Sequence, residues 1–279
     1  MTDSPSTDKY AVFGNPIAHS KSPDIHKLFA RQTKQDIEYT RELAPLEGFT
    51  AAIEAFIASG GKGANVTVPF KQEAYELAGR LGKRARQAGA VNTLVVEVDG
   101  EIMGDNTDGV GMVRDIVDNH RWPISGQSIL LLGAGGAVRG VLGPLLEQKP
   151  GKIFIANRTV EKAKNLAQAF SREGNIEAVA FNEIPHHVFD LVINGTSASL
   201  AGEIPPIPPA TIGAQTHCYD MMYGKELTPF LQWAKNNGCT QLADGLGMLV
   251  EQAAESFRLW RGVKPETRTV IDALRQGYI

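Results

Sequence analysis

The sequence predicts an α/β protein built largely on parallel sheet, and three observations predict it. Short apolar runs alternate with segments of helical period. One of those runs, Ser128-Ile129-Leu130-Leu131-Leu132, is apolar almost without a break, as in a strand buried on both faces. That same run passes through a glycine-rich turn into a helix whose apolar residues share one side.

In chain order, Tyr10-Ala11-Val12-Phe13 reads as a first strand ending at Gly14-Asn15-Pro16. A helix is expected from about Pro23, with Ser22 as N-cap and Ile25, Leu28 and Phe29 on its apolar side. Ile37 to Leu43 is a second strand, and Pro45 to Ser59 a second helix with Phe49, Ile53 and Phe56 on one face. Ala64 to Val68 forms a third strand, stopped by Pro69. Two apolar runs between Val91 and Met103 meet at Asp99-Gly100, a two-residue hairpin turn.

A second α/β series begins near Ser128. Gly133-Ala134-Gly135-Gly136 opens a helix with Val138, Val141, Leu142, Leu145 and Leu146 on one side. Lys152 to Ala156 is the next strand, followed by a helix from Val160 to Phe170. Further strands are expected at Ala178-Phe181, Leu191-Asn194 and His217-Asp220, and two final helices at about Leu246-Trp260 and Pro265-Arg275. The Pro-rich stretch Ile204 to Pro209 reads as a surface loop. The 279 residues suffice for two domains of ordinary size. Junctions are expected near Asp108-Val117 and Gly245.

Composition narrows the function classes. Charged residues make up 21% and hydrophobic residues 43%, ordinary for a globular chain, and a net charge of −3 gives no reason to expect nucleic acid or an anionic membrane as partner. Cys218 and Cys239 form neither a metal-ligand spacing nor a disulfide framework, which fits a reducing compartment. His186-His187 lacks the i, i+4 spacing of a helical metal site. Met1 to Asp8 lacks a signal-peptide pattern, and no apolar run approaches the roughly 20 residues that span a bilayer. A cytoplasmic location is therefore expected, with a small molecule as partner.

The glycine turn Gly133, Ala134, Gly135, Gly136, Ala137 suits a pyrophosphate, because its backbone N–H groups open onto a helix N-terminus. The match to G-x-G-x-x-G is incomplete, with Val138 in the third glycine position. At the end of the following strand an NAD-binding unit usually carries an acid. Here stand Asn157-Arg158-Thr159 and then Lys162, a set that fits the 2′-phosphate of NADP. Thr159 can equally serve as a helix cap.

Other polar groups cluster at predicted strand ends. Ser20 and Ser22 at a helix start suit a carboxylate or phosphate, although Ser22 alone also reads as a cap. Asn65 and Thr67 alternate onto one strand face, an awkward choice for a core. Lys71 sits in a first helical turn, where the dipole disfavours a cation, and otherwise reads as a surface lysine. Asn92-Thr93 and Asn106-Thr107-Asp108-Gly109 complete the group, with Asp108 also readable as a cap. His19 and His26 read as packing or local hydrogen-bonding groups, and Trp260 as core.

Taken in order, Asn15-Pro16, His19-Ser20-Lys21-Ser22-Pro23, Asn65-Val66-Thr67-Val68-Pro69-Phe70-Lys71, Ala90-Val91-Asn92-Thr93 and Asn106-Thr107-Asp108-Gly109 resemble the motif series of shikimate dehydrogenases. Gly133 to Ala137, Asn157-Arg158-Thr159 and Asp244-Gly245-Leu246-Gly247-Met248-Leu249 continue it. The resemblance implies an N-terminal α/β substrate domain (1–108 and 246–279), a Rossmann-type NADP-binding domain (109–245), and C-terminal helices returning to the first domain, with an active-site cleft between the two. It implies reversible NADPH-dependent reduction of 3-dehydroshikimate to shikimate, within chorismate and aromatic amino acid biosynthesis. It implies Lys71 and Asp108 as the catalytic pair, Ser20 and Ser22 on the substrate carboxylate, and Asn65, Thr67, Asn92 and Gln252 on ring hydroxyls. Gly133 to Ala137, Asn157, Arg158, Thr159, Lys162, Thr196, Met221 and Gly245 would hold NADP(H), in a monomer or homodimer. Asn194-Gly195-Thr196 departs from the family's frequent Asn-Ala-Thr, and Tyr223-Gly224-Lys225 from its commonest form. Three alternatives stay open: a sister enzyme using quinate or NAD, a ligand sensor without turnover, and a methylene-tetrahydrofolate-type dehydrogenase sharing only the second domain.

Overall fold

The computed structural model describes residues 7–198 and 202–277. The chain divides into two compact units, one of residues 1–107 and 250–279, the other of residues 108–249.

The first unit holds a mixed six-stranded sheet. Its strands are β1 (Asp8–Gly14), β2 (Ile37–Leu43), β3 (Gly61–Val66), β4 (Arg80–Leu81), β5 (Thr93–Val96) and β6 (Ile102–Asp105), in spatial order β2-β1-β3-β5-β6-β4. β1 pairs parallel to β2 and β3, whereas β5 runs antiparallel to β3 and β6. The expected hairpin is β5–β6; Gly100 takes φ +86° and its N–H donates to Glu97 O (3.0 Å). Helices α1 (Ser22–Thr33), α2 (Phe49–Ala58), α3 (Lys71–Leu77) and α4 (Lys83–Ala88) connect these strands. The core beneath α2 and α3 gathers Phe13, Phe49, Ile53, Val66, Phe70 and Leu94.

Two helix starts differ from the sequence expectation. Pro45 to Gly48 forms a turn, with Gly48 N–H donating to Pro45 O (3.2 Å), so α2 begins only at Phe49. Ser22 is the first residue of α1 rather than its cap; Lys21 stands at the N-cap without a side-chain cap bond, and Ser20 Oγ accepts the Ser22 N–H (3.3 Å).

The second unit holds an all-parallel six-stranded sheet. Its strands are β7 (Ser128–Leu132), β8 (Lys152–Ala156), β9 (Ile176–Val179), β10 (Leu191–Asn194), β11 (His217–Asp220) and β12 (Gln241–Asp244). The order β9-β8-β7-β10-β11-β12 is the doubly wound Rossmann arrangement, whose ligand crevice lies where the order reverses, between β7 and β10. Alternate residues of β7 feed opposite faces: Ile129 and Leu131 join a core with Val138, Val141 and Leu145, while Leu130 and Leu132 join one with Phe154, Val192 and Phe230. Continuous apolarity thus follows from burial on both sides.

Helix α5 (Asp108–Arg114) opens this unit and runs into a single π turn, Asp115–Asn119. Buried Asp115 there accepts a 2.7 Å hydrogen bond from the Tyr219 hydroxyl. α6 (Gly136–Glu147), α7 (Val160–Ala169) and α8 (Pro229–Asn236) follow. α5 packs closely on α6, since a Cβ on Gly109 would meet Gly140 O at 2.7 Å. The long helix α9 (Leu246–Arg261) begins in the second unit and ends in the first, and α10 (Arg268–Arg275) belongs to the first. In the first unit Trp260 lies against β3, its indole N–H donating to Leu94 O (2.9 Å). A Cβ on Gly63 would stand 2.4 Å from that indole nitrogen, so glycine is required for this approach. Among the described residues no helix is long and apolar enough to cross a membrane.

Candidate active site

In the second unit the site is a cavity of about 450 Å³ at the β7–β10 switch point, a size suited to a small organic ligand. Gly133 to Ala137 form one wall, and Asn157, Arg158, Thr159 and Lys162 another. Gly133 takes φ +104°, which only glycine adopts without strain, and the turn leads directly into the N-terminus of α6. A Cβ on Gly135 or Gly136 would meet nothing within 4 Å, so both backbones face open space that a pyrophosphate can approach. Arg158 and Lys162 are exposed cations on the same cavity. Asn157 turns its amide inward, Nδ2 donating to Thr159 O (2.8 Å), and this holds the strand-to-helix turn that presents Arg158. The residues therefore fit a dinucleotide with an extra phosphate.

Part of the remaining cavity was not legible as a site. Phe181 and Ile204-Pro205-Pro206 line it, so the segment expected to be a plain surface loop forms part of the wall. Thr196 also lines it and is fixed from below. Its N–H and hydroxyl both donate to Asn194 Oδ1 (3.1 and 2.7 Å), and Asn194 Nδ2 donates to Asp220 (3.1 Å). Asp220, fully buried, also accepts from Met222 N and the Thr228 hydroxyl. Met221 N–H donates to Asn194 O (2.9 Å), and Gly245 packs so tightly on Met221 that a Cβ would lie 2.2 Å from its carbonyl oxygen.

In the first unit Asn65, Asn92, Thr93, Thr107 and Gln252 share one hydrogen-bonded cluster, while Thr67 and the Ser20–Ser22 pair bond elsewhere. Asn92 Oδ1 accepts from Thr107 N–H (2.9 Å) and Thr93 Oγ1 (2.8 Å), and its Nδ2 donates to Thr107 Oγ1 (2.9 Å) and Gln252 Oε1 (3.4 Å). A backbone N–H can only donate, so the Thr107 bond fixes which way the Asn92 amide faces. Asn65 Nδ2 reaches Asn92 O (3.1 Å), Thr93 Oγ1 (3.2 Å) and Ser256 Oγ (3.0 Å). Thr67 lies just beyond β3, its N–H donating to Phe13 O (2.9 Å). Ser20 Oγ donates to Ser22 Oγ (3.2 Å).

Lys71 and Asp108 each adjoin this cluster through the chain. The carbonyl of Lys71, first residue of α3, accepts the N–H of Val91, which precedes Asn92 (2.8 Å). Asp108 follows Thr107 and starts α5. Behind them Arg84 binds both Asp105 (3.1 Å) and the buried Glu255 (2.9 Å), tying α4, β6 and α9 together. Asp105 in turn accepts the Asn106 N–H (2.7 Å), and its carbonyl accepts the Asn92 N–H (3.0 Å). Ser256 and Arg84 escaped sequence reasoning because isolated polar groups inside helices leave no pattern that marks them.

His26 packs without bonding. Its ring stacks on Tyr39 (4.3 Å between centroids) and neither ring nitrogen has a hydrogen-bond partner. Burial pushes its pKa down to about 3, a shift that the neighbouring Asn65 side chain opposes by less.

Known proteins resemble this chain over most of its length. A family model described as the shikimate dehydrogenase substrate binding domain matches residues 12–94, one described as shikimate / quinate 5-dehydrogenase matches residues 115–201, and one described as the shikimate 5′-dehydrogenase C-terminal domain matches residues 245–275. A relative named shikimate dehydrogenase (NADP(+)) from Alkalilimnicola ehrlichii is 56% identical over 96% of this chain and 99% of its own. The crystal structure of an Ael1 enzyme from Pseudomonas putida superposes with a TM-score of 0.91 at 47% identity, covering 96% of this chain and 98% of that one. The shikimate 5-dehydrogenase of Thermus thermophilus, solved with NADP(H) and shikimate, superposes with a TM-score of 0.84 at 30% identity, covering 96% of this chain and 99% of that one.

Proposed function

This chain belongs to the shikimate dehydrogenase family, and from that premise we propose that it catalyses the reversible, NADP(H)-dependent reduction of 3-dehydroshikimate to shikimate. The reaction serves aromatic amino acid biosynthesis in the cytoplasm. The unit of residues 1–107 and 250–279 takes the substrate, and the unit of residues 108–249 takes the dinucleotide. One observation carries the reading: Asn65, Asn92, Thr107 and Gln252 form a single hydrogen-bonded cluster, flanked through the chain by Lys71 and Asp108.

NADPH, when bound, supplies the hydride for the ketone carbon. Gly133 to Ala137 receive its pyrophosphate, and Arg158 with Lys162 its 2′-phosphate; Thr196, Met221 and Gly245 line the nicotinamide end. Ser20 and Ser22 hold the substrate carboxylate, and Asn65, Thr67, Asn92 and Gln252 its hydroxyls. Lys71, as ammonium, gives a proton to the alkoxide that develops on the former ketone oxygen, and as amine takes it back in the reverse direction. Asp108 orients that lysine and accepts from a ring hydroxyl.

The test is NADPH absorbance with 3-dehydroshikimate, repeated with NADH, and in reverse with shikimate and quinate. Rapid NADPH oxidation, slow NADH oxidation and strong preference for shikimate are expected. Equal rates with quinate would assign the dual-substrate reaction instead, and ligand binding without turnover would make the chain a sensor.

A further inference from the structure

We propose that Arg84, on α4, is a positioning residue for the substrate-reading cluster, fixing where Asn92 and Gln252 stand relative to each other. The inference rests on the reaction assigned above. One guanidinium holds two carboxylates from distant parts of the chain. Its Nε and Nη2 donate side by side to the two oxygens of Asp105, the last residue of β6, with Nε to Oδ1 at 3.1 Å. Its Nη1 donates to Glu255 Oε1 on α9 at 2.9 Å. The Glu255 side chain is 1% exposed and that of Asp105 9%, so both carboxylates lie where a charge needs a fixed partner.

Both contacts lead into the cluster within a few bonds. The carbonyl of Asp105 accepts the Asn92 N–H (3.0 Å), and its Oδ1 accepts the Asn106 N–H (2.7 Å), so the Asp105 carboxylate sets the turn into Thr107. The Thr107 N–H then donates to Asn92 Oδ1 (2.9 Å). On α9, Glu255 precedes Ser256, which Asn65 Nδ2 reaches at 3.0 Å, and follows Gln252 by three residues. Residues three apart share a helix face, so holding Glu255 sets the reach of Gln252. The bond from Asn92 Nδ2 to Gln252 Oε1 is 3.4 Å, near the limit for a hydrogen bond, and a small retreat of α9 breaks it. Arg258 also binds Glu255 (2.8 Å), but it belongs to α9 itself and cannot tie that helix to β6. The start of α4 leaves no slack: Gly82 N–H donates to Gly104 O (2.8 Å), and a Cβ on Gly82 would stand 2.9 Å from Asp105 Oδ1. Arg84 is thus the link that sets the Asn92 end of the cluster against the Gln252 end.

Arg84→Lys keeps the charge and loses the planar fork, since an ammonium cannot pair side by side with one carboxylate and still reach a second. It is expected to raise KM for shikimate about 3- to 30-fold, the worth of one or two neutral hydrogen bonds in the cluster. KM for NADP should stay within about 2-fold and kcat within about 3-fold. Gln252→Ala should raise KM for shikimate less in the Arg84→Lys background than in the wild type, because Gln252 is already displaced there. Thermal unfolding of each variant reports folding separately. If Arg84→Lys does not fold, Glu255→Ala answers in its place: it frees α9, leaves the Asp105 pair intact, and should raise KM for shikimate in the same direction. An active wild type whose folded variant keeps its KM for shikimate, or strictly additive effects with Gln252→Ala, reduces Arg84 to a structural ion pair and overturns the inference alone. A wild type that turns over neither shikimate nor 3-dehydroshikimate overturns the assigned reaction and this inference with it.

Discussion

Val138 occupies the space that a methyl group on Gly195 would need: a Cβ there would lie 2.4 Å from Val138 Cγ2 and 3.0 Å from Met221 Sδ. Two departures read separately in the sequence, a valine in the third glycine position and a glycine where alanine is frequent, are one packing solution. Gly195→Ala should destabilise the protein by about 1–3 kcal/mol through overpacking. Val138→Ala should make that same change nearly neutral. Urea unfolding of the two single variants and the double variant measures the coupling; additive effects would show the contact to be irrelevant.

His26 makes stability depend on pH. Its folded pKa is lowered to about 3, whereas the unfolded chain takes up a proton near 6.5. Between those values the unfolded state binds more protons, so its contribution is fully present above about pH 6.5 and is lost as pH falls toward 3. From pH 6.5 to 5 the loss is about 2 kcal/mol. The titratable group facing it, Tyr39, stays neutral over this window. His26→Phe should flatten the curve while keeping the aromatic stack. Denaturant midpoints at pH 7.5 and 5.0 for both proteins decide it, and an equal fall in both would assign the acid lability elsewhere.

Arg158→Ala removes a charge-assisted bond worth about 1.5–3 kcal/mol. KM for NADPH should rise by about 10- to 150-fold, with KM for shikimate nearly unchanged. The NADPH-to-NADH ratio of kcat/KM should fall by a similar factor. Steady-state kinetics with both cofactors checks this, and an unaltered ratio would remove Arg158 from cofactor choice.

Lys71→Ala should lower kcat by about 10²- to 10⁴-fold, the usual scale for a lost acid–base group. Shikimate binding, followed by calorimetry, should survive within about 10-fold. A variant that keeps its kcat would leave Asp108 as the proton-transfer group.

What the sequence made legible follows burial. β7, β8 and β10 were readable to the residue because each carries an apolar run buried on both faces, and β11 was placed to the residue as well although His217 and Asp220 make its ends polar. β12 was missed: Gln241-Leu242-Ala243-Asp244 is exposed at its first residue and carries no β-branched side chain. The starts of α2 and α10 were placed early because Pro45 and Pro265 resemble first-turn prolines. In fact Pro45 leads a turn, and α10 waits for Glu266, whose carboxylate accepts from Arg268 N–H (2.6 Å) and Thr269 N–H (3.1 Å). Candidate site residues stood in dense motifs that a sequence displays, and the groups that hold them did not. Arg84, Asp220 and Ser256 act through contacts between residues far apart in sequence, which no local pattern records.

Because the first unit is completed only by residues 250–279, the chain cannot finish its domains in the order in which it is made. On the ribosome the all-parallel sheet has every strand by Asp244, while the older N-terminal sheet still lacks Trp260 over β3 and Ser256 beside Asn65. Vectorial synthesis usually lets the N-terminal domain fold first; here the middle of the chain can settle before its beginning. A nascent chain stalled near residue 249 would carry a formed dinucleotide cradle on a protein unable to grip its substrate.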